Sequence, residues 1–182
     1  MTGAVYVAAA LVALQRAAEL VLAWRNERRL RARGAVEHGA AEYKLIVALH
    51  TGWLVALSVA VPAEAEPDLW LIALYLALQP LRYWAVASLG ERWTTRVLVV
   101  PGARTVARGP YRFLRHPNYL VVALEIPLLP LAFGAWQLAA VFGLLNLALL
   151  GWRIRVEDSA LGRAGAAASL PGAPLDRNGM PG

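Results

Sequence analysis

The chain has 182 residues, of which 59% are hydrophobic and 16% charged, and its mean hydropathy is +0.49. Soluble domains carry about 25% charged residues, so this composition indicates an integral membrane protein. Cysteine is absent, which excludes disulfides, thiolate nucleophiles and cysteine-ligated metals. The net charge of +6 is attributed to loop arginines that set membrane topology, and nucleic acid is not expected as a partner.

Five apolar segments predict an all-α integral membrane fold with five transmembrane helices. Four of them cover residues 4–24, 43–61, 69–89 and 136–152, lengths that suit a bilayer core of about 30 Å. The remaining segment, fourth in chain order, begins near Tyr119 and is short. Its Pro127 and Pro130 cannot continue a regular helix without losing hydrogen bonds. We therefore predict that helices 4 and 5 form a helical hairpin turning between Pro127 and Trp136.

The loop charges set the orientation. Arginines crowd residues 25–33, 92–115 and 153–163, whereas the charged residues of 62–68 are all acidic. The positive-inside rule then places the N-terminus outside and the C-terminus in the cytoplasm, and the composition favours a bacterial inner membrane. Residues 1–161 are predicted to form a single transmembrane domain. The tail 162–182 is rich in Gly, Ala and Pro and is expected to be disordered.

The cytoplasmic connection between helices 3 and 4 is too structured for a plain linker. Residues 97–100 and 104–106 resemble two short strands around a Pro101-Gly102 turn. Residues 108–119 then contain three arginines, two prolines, two tyrosines and a histidine. The Gly-Pro and His-Pro steps restrict the backbone, as a ligand-binding loop requires. A loop that only sets topology needs the arginines alone, so both interpretations stay open.

Other charged groups lie within the predicted helices. Arg153 and Glu157 are four residues apart and can pair, either as a helix-end ion pair or as part of a site. Arg16 and Glu19 can neutralise each other inside the first span, where ionisable groups usually face the bundle or a cavity. His50 shares a helical stripe with Tyr43 and Val47, although a single buried histidine is more often a core group. The spacing of the three histidines predicts no metal site.

The run Arg115-His116-Pro117-Asn118-Tyr119, with Arg153-x-x-x-Glu157-Asp158 one hairpin later, resembles the isoprenylcysteine carboxyl methyltransferase family. This resemblance covers residues 95–161. At the front of the chain, Gln15-Arg16-x-x-Glu19 and Glu37-His38-Gly39 resemble the small bacterial branch, some members of which accompany type III polyketide synthases. The family consists of integral membrane enzymes, and the resemblance implies S-adenosylmethionine as cofactor.

The resemblance also implies roles for individual residues. The expected cofactor-binding residues are Ala103, Arg104, Thr105, Val106, Tyr111, His116, Pro117, Asn118, Tyr119 and Glu157. Arg153 is expected at the substrate as a catalytic residue. The family commonly has two glutamates where this chain has Glu157-Asp158, and aspartate is one methylene shorter. Arg16, Glu19 and His50 are further candidates for substrate contact.

These implications predict S-adenosylmethionine-dependent methyl transfer to a lipid-like small molecule at the cytoplasmic membrane face. The acceptor is expected to enter from the bilayer, among membrane lipids, and to be an alkyl-phenolic or alkylpyrone compound or a prenylcysteine-type carboxylate. A phenolic or enolic oxygen would benefit from a general base, for which His50, His38 and Glu19 are candidates. An NADPH-dependent membrane reductase of the sterol-reductase type and a non-catalytic membrane subunit remain alternatives.

Overall fold

The computed structural model describes residues 3–101 and 106–168, with side chains up to Arg163. Within these residues lie the helices α1 (Ala4–Ala32), α2 (Ala40–Ala60), α3 (Leu69–Leu89), α4 (Pro117–Ala132) and α5 (Trp136–Ala168). Two short strands, β1 (Val36–His38) and β2 (Val97–Val99), join them. Four of the five helices are long and apolar enough to cross a membrane, and α4 is a shorter apolar helix of 16 residues. The predicted all-α membrane character is therefore confirmed.

Two helices are longer than the hydropathy predicted. The first apolar segment ends at Trp24, but α1 continues to Ala32, so most of the expected loop arginines extend the helix. Arg, Glu and Leu are strong helix formers, and hydropathy reports where an apolar stretch ends rather than where a helix ends. α5 likewise runs through Arg153 to Ala168. Residues 162–168 are thus helical where disorder was expected, and the rest of that tail, 169–182, lies outside the described residues.

The proline-containing fourth segment is also more regular than expected. α4 passes through Pro127 and Pro130 and ends at Ala132, because a proline removes one backbone hydrogen bond without having to end the helix. The turn to α5 takes only residues 133–135, where the N–H groups of Phe133 and Ala135 donate to the Pro130 carbonyl at 3.1 and 2.9 Å. α4 and α5 therefore form a tight hairpin.

Successive helices alternate in direction, so the connections gather at two ends. At one end the Gly3 N–H donates to the Ala63 carbonyl, and the Asp68 N–H donates to the Ala132 carbonyl, both at 2.7 Å. The Asp68 carboxylate also caps α3 by accepting from the backbone N–H groups of Trp70 and Leu71. The opposite end carries β1 and β2 and is called the sheet end.

The sheet consists of β1 and β2 paired antiparallel, with Val36 opposite Val99 and His38 opposite Val97. β2 occupies the strand predicted at residues 97–100, but its partner is β1 and not the stretch 104–106. Of that stretch only Val106 is described. The pairing joins segments about sixty residues apart, and local sequence patterns do not reveal such long-range partners.

The apolar core fills the half of the bundle away from the sheet end. Its most buried members include Val5 from α1, Trp53 and Leu57 from α2, and Ile126 and Leu129 from α4. Large apolar side chains also cover the outer surface, as expected for helices that face lipid. Examples are Leu11, Leu14, Val55, Val59, Leu76, Val141, Leu144 and Leu147. The packed half leaves room for a cavity nearer the sheet end.

Candidate functional site

A cavity of about 580 Å³ opens within the half of the bundle nearer the sheet end. This volume lies within the range of small-molecule sites, roughly 300–1,000 Å³. All five helices contribute to its walls, as do β2 and the segments around it. Apolar side chains such as Leu20, Ile46, Leu54, Val122 and Leu150 lie between two groups of polar residues, one nearer the sheet end and one deeper.

The group nearer the sheet end is centred on the Tyr119 hydroxyl. This hydroxyl donates a short hydrogen bond to Glu157 Oε2 and accepts one from Arg153 Nε at 2.8 Å. The Arg153 guanidinium also lies 5.7 Å from the centroid of the Tyr119 ring. The sequence predicted a direct Arg153–Glu157 pair, but the tyrosine hydroxyl bridges the two side chains instead. The bridge fixes all three groups in one arrangement, with Arg153 only 6% exposed.

Asp158 holds the histidine of the His-Pro motif. His116 Nε2 lies 3.2 Å from Asp158 Oδ1, and the exposed Arg115 reaches the same oxygen at 3.4 Å. The His116 ring stacks on the Tyr119 ring, with centroids 5.3 Å apart and 15° between the planes. The second acid of the motif therefore orients His116 from α4, while the first, Glu157, bonds Tyr119.

The loop before α4 brings further predicted residues to the cavity. Gly109 sits so close to α3 that a Cβ at this position would lie 1.9 Å from Ser88 Oγ. Its φ of 59° also favours glycine. The close contact of Gly109 with α3 places Tyr111 on the cavity wall. There, burial and the charge of Glu157 raise the pKa of the Tyr111 hydroxyl above the ordinary value. Tyr111 consequently remains a neutral hydrogen-bonding group.

Asn118 has an unsatisfied polar atom in the cavity wall. Its Oδ1 is buried and has no hydrogen-bond partner among the described residues. Buried carbonyl oxygens are nearly always hydrogen-bonded, so an orphan acceptor in a cavity wall indicates a place for a ligand donor. Val106 also lines the cavity, whereas Pro117 is fully buried as the first residue of α4. Ala103, Arg104 and Thr105 lie outside the described residues.

The deeper polar group is a cluster of four charged side chains, which we call the charge cluster: Arg16, Glu19, Arg82 and Glu125. Arg82 donates two hydrogen bonds to the Glu19 carboxylate, at 2.5 and 2.6 Å. Glu125 Oε2 accepts from Arg16 at 2.6 Å and from Arg82 at 3.0 Å. Glu125 is fully buried and Arg82 is 4% exposed. The formal charges of the two arginines and the two glutamates balance, which lowers the cost of burying them together.

Two members of the charge cluster were missed by sequence reasoning. The Arg16–Glu19 contact was predicted and is present at 3.1 Å, but Arg82 and Glu125 were treated as parts of apolar segments. The signal was available, because an ionisable residue inside an apolar span is a functional candidate by itself. Gln79 supports the cluster by donating to Glu125 at 2.7 Å and accepting from Gln15 at 2.9 Å.

His50 lies on the cavity wall with Tyr43 and Val47, so the predicted stripe of α2 faces the cavity. Its Nδ1 is 2.8 Å from the carbonyl oxygen of Ile46. His38 instead lies in β1 and is not among the residues that line the cavity. The structure therefore brings His50, Arg16 and Glu19 to the cavity, and leaves His38 in the sheet.

Glu37 ties the sheet to the end of α1. It accepts a short hydrogen bond from Arg31 and another from Arg96 Nη1 at 2.5 Å. Burial opposes ionisation of this carboxyl, but the two arginine contacts outweigh it and lower the pKa of Glu37 below the ordinary value. The Arg96 guanidinium also stacks 4.2 Å from the centroid of the Tyr43 ring. These contacts hold the segment after α3 against the cavity.

Known proteins resemble this chain over most of its length. Residues 71–163 match the model of the isoprenylcysteine carboxyl methyltransferase (ICMT) family, a range that holds both motifs around Tyr119 and Glu157. The uncharacterized protein YpbQ of Bacillus subtilis (strain 168) is 42% identical over 156 residues, covering 84% of this chain and 93% of YpbQ.

An uncharacterized protein of Haemophilus influenzae is 24% identical over 148 residues, covering 78% of this chain and 86% of the relative. No solved structure matches the chain. The family match spans half of the chain, and the Bacillus relative aligns over most of both proteins. The chain therefore belongs to the isoprenylcysteine carboxyl methyltransferase family of membrane methyltransferases.

Proposed function

We propose that this protein transfers a methyl group from S-adenosylmethionine to a lipid-like small molecule at the cytoplasmic face of the membrane. The observation that carries the proposal is the cavity itself. One wall carries the bridged Arg153–Tyr119–Glu157 group with His116, and the neighbouring walls are apolar. Such a cavity can hold a charged cofactor and an apolar acceptor side by side.

The residues around Tyr119 fit S-adenosylmethionine, which carries an ammonium, a carboxylate and ribose hydroxyls. The orphan Asn118 Oδ1 needs a donor such as a hydroxyl or an ammonium group. Glu157 accepts from Tyr119 with Oε2, and within residues 3–101 and 106–163 no hydrogen bond to its Oε1 is present, so Oε1 can accept from a second donor of the same kind. Among the described residues, Arg153 uses only Nε in a hydrogen bond, so its terminal N–H groups are available to an anionic or carbonyl group.

When bound, the cofactor supplies an electrophilic methyl group on a sulfonium. The protein's part is to align the acceptor oxygen with that methyl group and to keep water away. Arg153 is positioned by Tyr119 rather than by solvent, so little reorganisation is needed when it contacts a ligand. The apolar side chains of Leu54, Val122 and Leu150 line the cavity and exclude water. Most of the rate enhancement should then come from orientation in a dry site.

We further propose that all five helices enter the bilayer, with the sheet end in the cytoplasm and the N-terminus outside. α4 has 16 residues, about 24 Å at 1.5 Å per residue, so it is about 6 Å shorter than a bilayer core of about 30 Å. The arginines at the end of α1 and in the loop before α4 gather at the sheet end, as the positive-inside rule demands of a cytoplasmic face. A bacterial inner membrane suits this orientation, and the acceptor would enter from the surrounding lipid.

Radiolabelled methyl transfer in membranes containing the protein tests the proposed function. Extracted lipid should gain label from S-adenosyl-[methyl-³H]methionine when an alkylresorcinol, an alkylpyrone or a prenylcysteine analogue is supplied. Glu157→Gln should reduce the label at least tenfold, because it removes a charged acceptor from the cofactor. Glu91→Gln, which alters an exposed carboxylate outside the cavity lining, is the matched control. Equal labelling by Glu157→Gln would refute the site, and label from NADPH instead would indicate a reductase.

A further inference from the structure

Four consecutive residues before α4 expose their side chains, and we call them the exposed loop: Arg112, Phe113, Leu114 and Arg115. Phe113 is 75% exposed and the Arg115 side chain 82%. A large aromatic and a large aliphatic side chain thus lie next to each other on the surface, with a cation on either side. Water is an unfavourable environment for such an apolar pair, because its surface stays hydrated. The exposed loop therefore has the composition of a contact surface.

Backbone hydrogen bonds hold the exposed loop in place. The N–H groups of Phe113 and Leu114 donate to the carbonyl oxygen of the buried Pro110 at 3.1 and 3.0 Å. Arg108, just before this turn, donates through Nε to the Ser88 carbonyl oxygen on α3 at 2.7 Å. The apolar pair cannot turn inward without breaking these bonds, so its exposure is a feature of the folded loop.

Exposed aromatic side chains mark where the bilayer ends. They occur near both ends of three helices: Tyr6 and Trp24 on α1, Trp70 and Trp84 on α3, and Trp136 and Trp152 on α5. The two members of each pair are about 21–27 Å apart along their helix at 1.5 Å per residue, which is close to a bilayer core of about 30 Å. Tryptophan and tyrosine prefer the membrane–water interface. Trp24, Trp84 and Trp152 therefore mark the interface at the sheet end.

The exposed loop lies close to this interface. Trp152 directly precedes Arg153, whose Nε bonds the Tyr119 hydroxyl in the first turn of α4. That level of α5 is therefore near the beginning of α4 at Pro117. The exposed loop ends two residues before Pro117, which places its side chains beside the lipid headgroups.

The two arginines of the exposed loop have donors to spare. Arg112 forms no ion pair within the described part of the chain, and its guanidinium lies 5.8 Å from the centroid of the Phe113 ring. Arg115 makes a single contact, with Asp158 at 3.4 Å. Guanidinium groups bind phosphate oxygens through paired N–H groups. A partner that covers all four side chains must combine phosphate with apolar chains, and the surface of an anionic phospholipid bilayer does so.

Other exposed arginines at the sheet end differ from this pair. Arg29 and Arg33 both bind Glu91, at 3.1 and 2.8 Å, and the side chains of both arginines are 59% exposed. Their charge contributes to the basic face, but a carboxylate already occupies their donors. The unpaired cations next to an apolar pair are thus a property of the exposed loop and do not follow from the basic face in general.

We propose that the exposed loop is a binding site for anionic phospholipid. Phe113 and Leu114 insert among the lipids at the sheet end, and Arg112 and Arg115 bind lipid phosphates. The proposal rests on the membrane placement given above and is independent of methyl transfer. Tyr111 directly precedes the exposed loop and His116 directly follows it, so the lipid contacts hold this wall of the cavity at the membrane surface.

Lipid binding to the delipidated protein in detergent micelles tests the arginines. Native mass spectrometry should show tighter binding of dioleoylphosphatidylglycerol than of dioleoylphosphatidylcholine. The double variant Arg112→Gln/Arg115→Gln should bind phosphatidylglycerol about 25-fold more weakly, at about fivefold for each arginine near a lipid surface. All four side chains of the exposed loop face outward, so the variant should keep the circular dichroism spectrum of the wild type.

The matched control is Arg29→Gln/Arg33→Gln, which removes the same number of charges from the same end of the protein. Its affinity for phosphatidylglycerol should change far less, because Glu91 already pairs with both arginines. An equal loss in the two double variants would mean nonspecific attraction to a basic face and would overturn the site. Release of the lipid by millimolar inorganic phosphate at constant ionic strength would indicate a soluble phosphate ligand instead, and would overturn the lipid assignment.

The insertion of the apolar pair is tested separately. The chain has no cysteine, so Phe113→Cys provides a single site for a nitroxide label. In phosphatidylglycerol vesicles this label should be accessible to oxygen and shielded from a water-soluble nickel complex, whereas a label at Glu91→Cys should be accessible to the nickel complex. Equal accessibility to nickel at the two positions would contradict insertion. Neither experiment involves S-adenosylmethionine, so a wild type that does not bind the cofactor would refute the proposed function and leave the lipid site standing.

Discussion

Glutamine in place of Glu125 would unbalance the charge cluster while nearly preserving the shape of the side chain. Glu125 Oε2 accepts from Arg16 at 2.6 Å and from Arg82 at 3.0 Å, and Oε1 accepts from Gln79 at 2.7 Å. A glutamine amide retains one acceptor oxygen and places an NH₂ group where the other oxygen was. At least one donor then loses its partner, and two arginines remain against the single charge of Glu19.

The expected loss of stability in Glu125→Gln follows from the burial of Glu125. Glu125 is fully buried, and removing one partner of a buried ion pair typically destabilises a protein by about 3–5 kcal/mol. Glu91 offers a matched comparison, because it also contacts two arginines, Arg29 at 3.1 Å and Arg33 at 2.8 Å. Its side chain is 49% exposed, and exposed pairs contribute only about 0–1 kcal/mol.

Both variants can be compared by unfolding in mixed micelles of detergent and SDS, followed by circular dichroism. Glu125→Gln should lower the free energy of unfolding by several times the change seen in Glu91→Gln. Adding Arg82→Gln to Glu125→Gln should cost less than the sum of the single changes, because the double variant restores charge balance. Equal, small effects of Glu125→Gln and Glu91→Gln would refute the buried, interdependent cluster.

Three further predictions concern the proposed cofactor site and the sheet end. Tyr119→Phe removes the hydroxyl that bridges Arg153 and Glu157, and should weaken S-adenosylmethionine binding about tenfold or more by calorimetry while the protein stays folded. Because the pKa of Glu37 is lowered in the folded state, its contribution to stability is present at neutral pH and is lost as pH falls below about 4.3. Glu37→Gln should remove that part of the pH dependence of unfolding. Gly39→Ala should destabilise more than Gly34→Ala in the same unfolding assay. Both glycines have positive φ, but only at Gly39 would a Cβ meet the Glu42 carboxylate, at 1.9 Å.

The bounds of an apolar segment predicted the bounds of a helix correctly where the apolar stretch and the helix end at the same residue. The third segment was expected at residues 69–89, and α3 has these bounds. The first segment was expected to end at Trp24, eight residues before α1 ends at Ala32. After Trp24 the residues are mostly charged but still favour helix, so the helix continues beyond the end of the apolar segment. Boundaries of this kind depend on propensity and on contacts such as that of Asn26 with the Trp93 carbonyl at 2.8 Å.

The candidate site was only partly accessible to sequence reasoning. Tyr119, Arg153 and Glu157 were identified through a motif resemblance, and the structure places them in one hydrogen-bonded group. The bridging role of the tyrosine hydroxyl depends on how α4 and α5 pack, which spacing does not reveal. Arg82 and Glu125 were missed for the same reason, because they meet Glu19 and Arg16 only across three helices.

The most direct test of the whole account is binding of S-adenosylmethionine to the detergent-purified protein, measured by calorimetry. The wild type and Glu91→Gln should bind with equal affinity, and Glu157→Gln should bind at least tenfold more weakly. A folded wild type that does not bind the cofactor, or a Glu157→Gln variant that binds it as tightly as the wild type, would contradict the account.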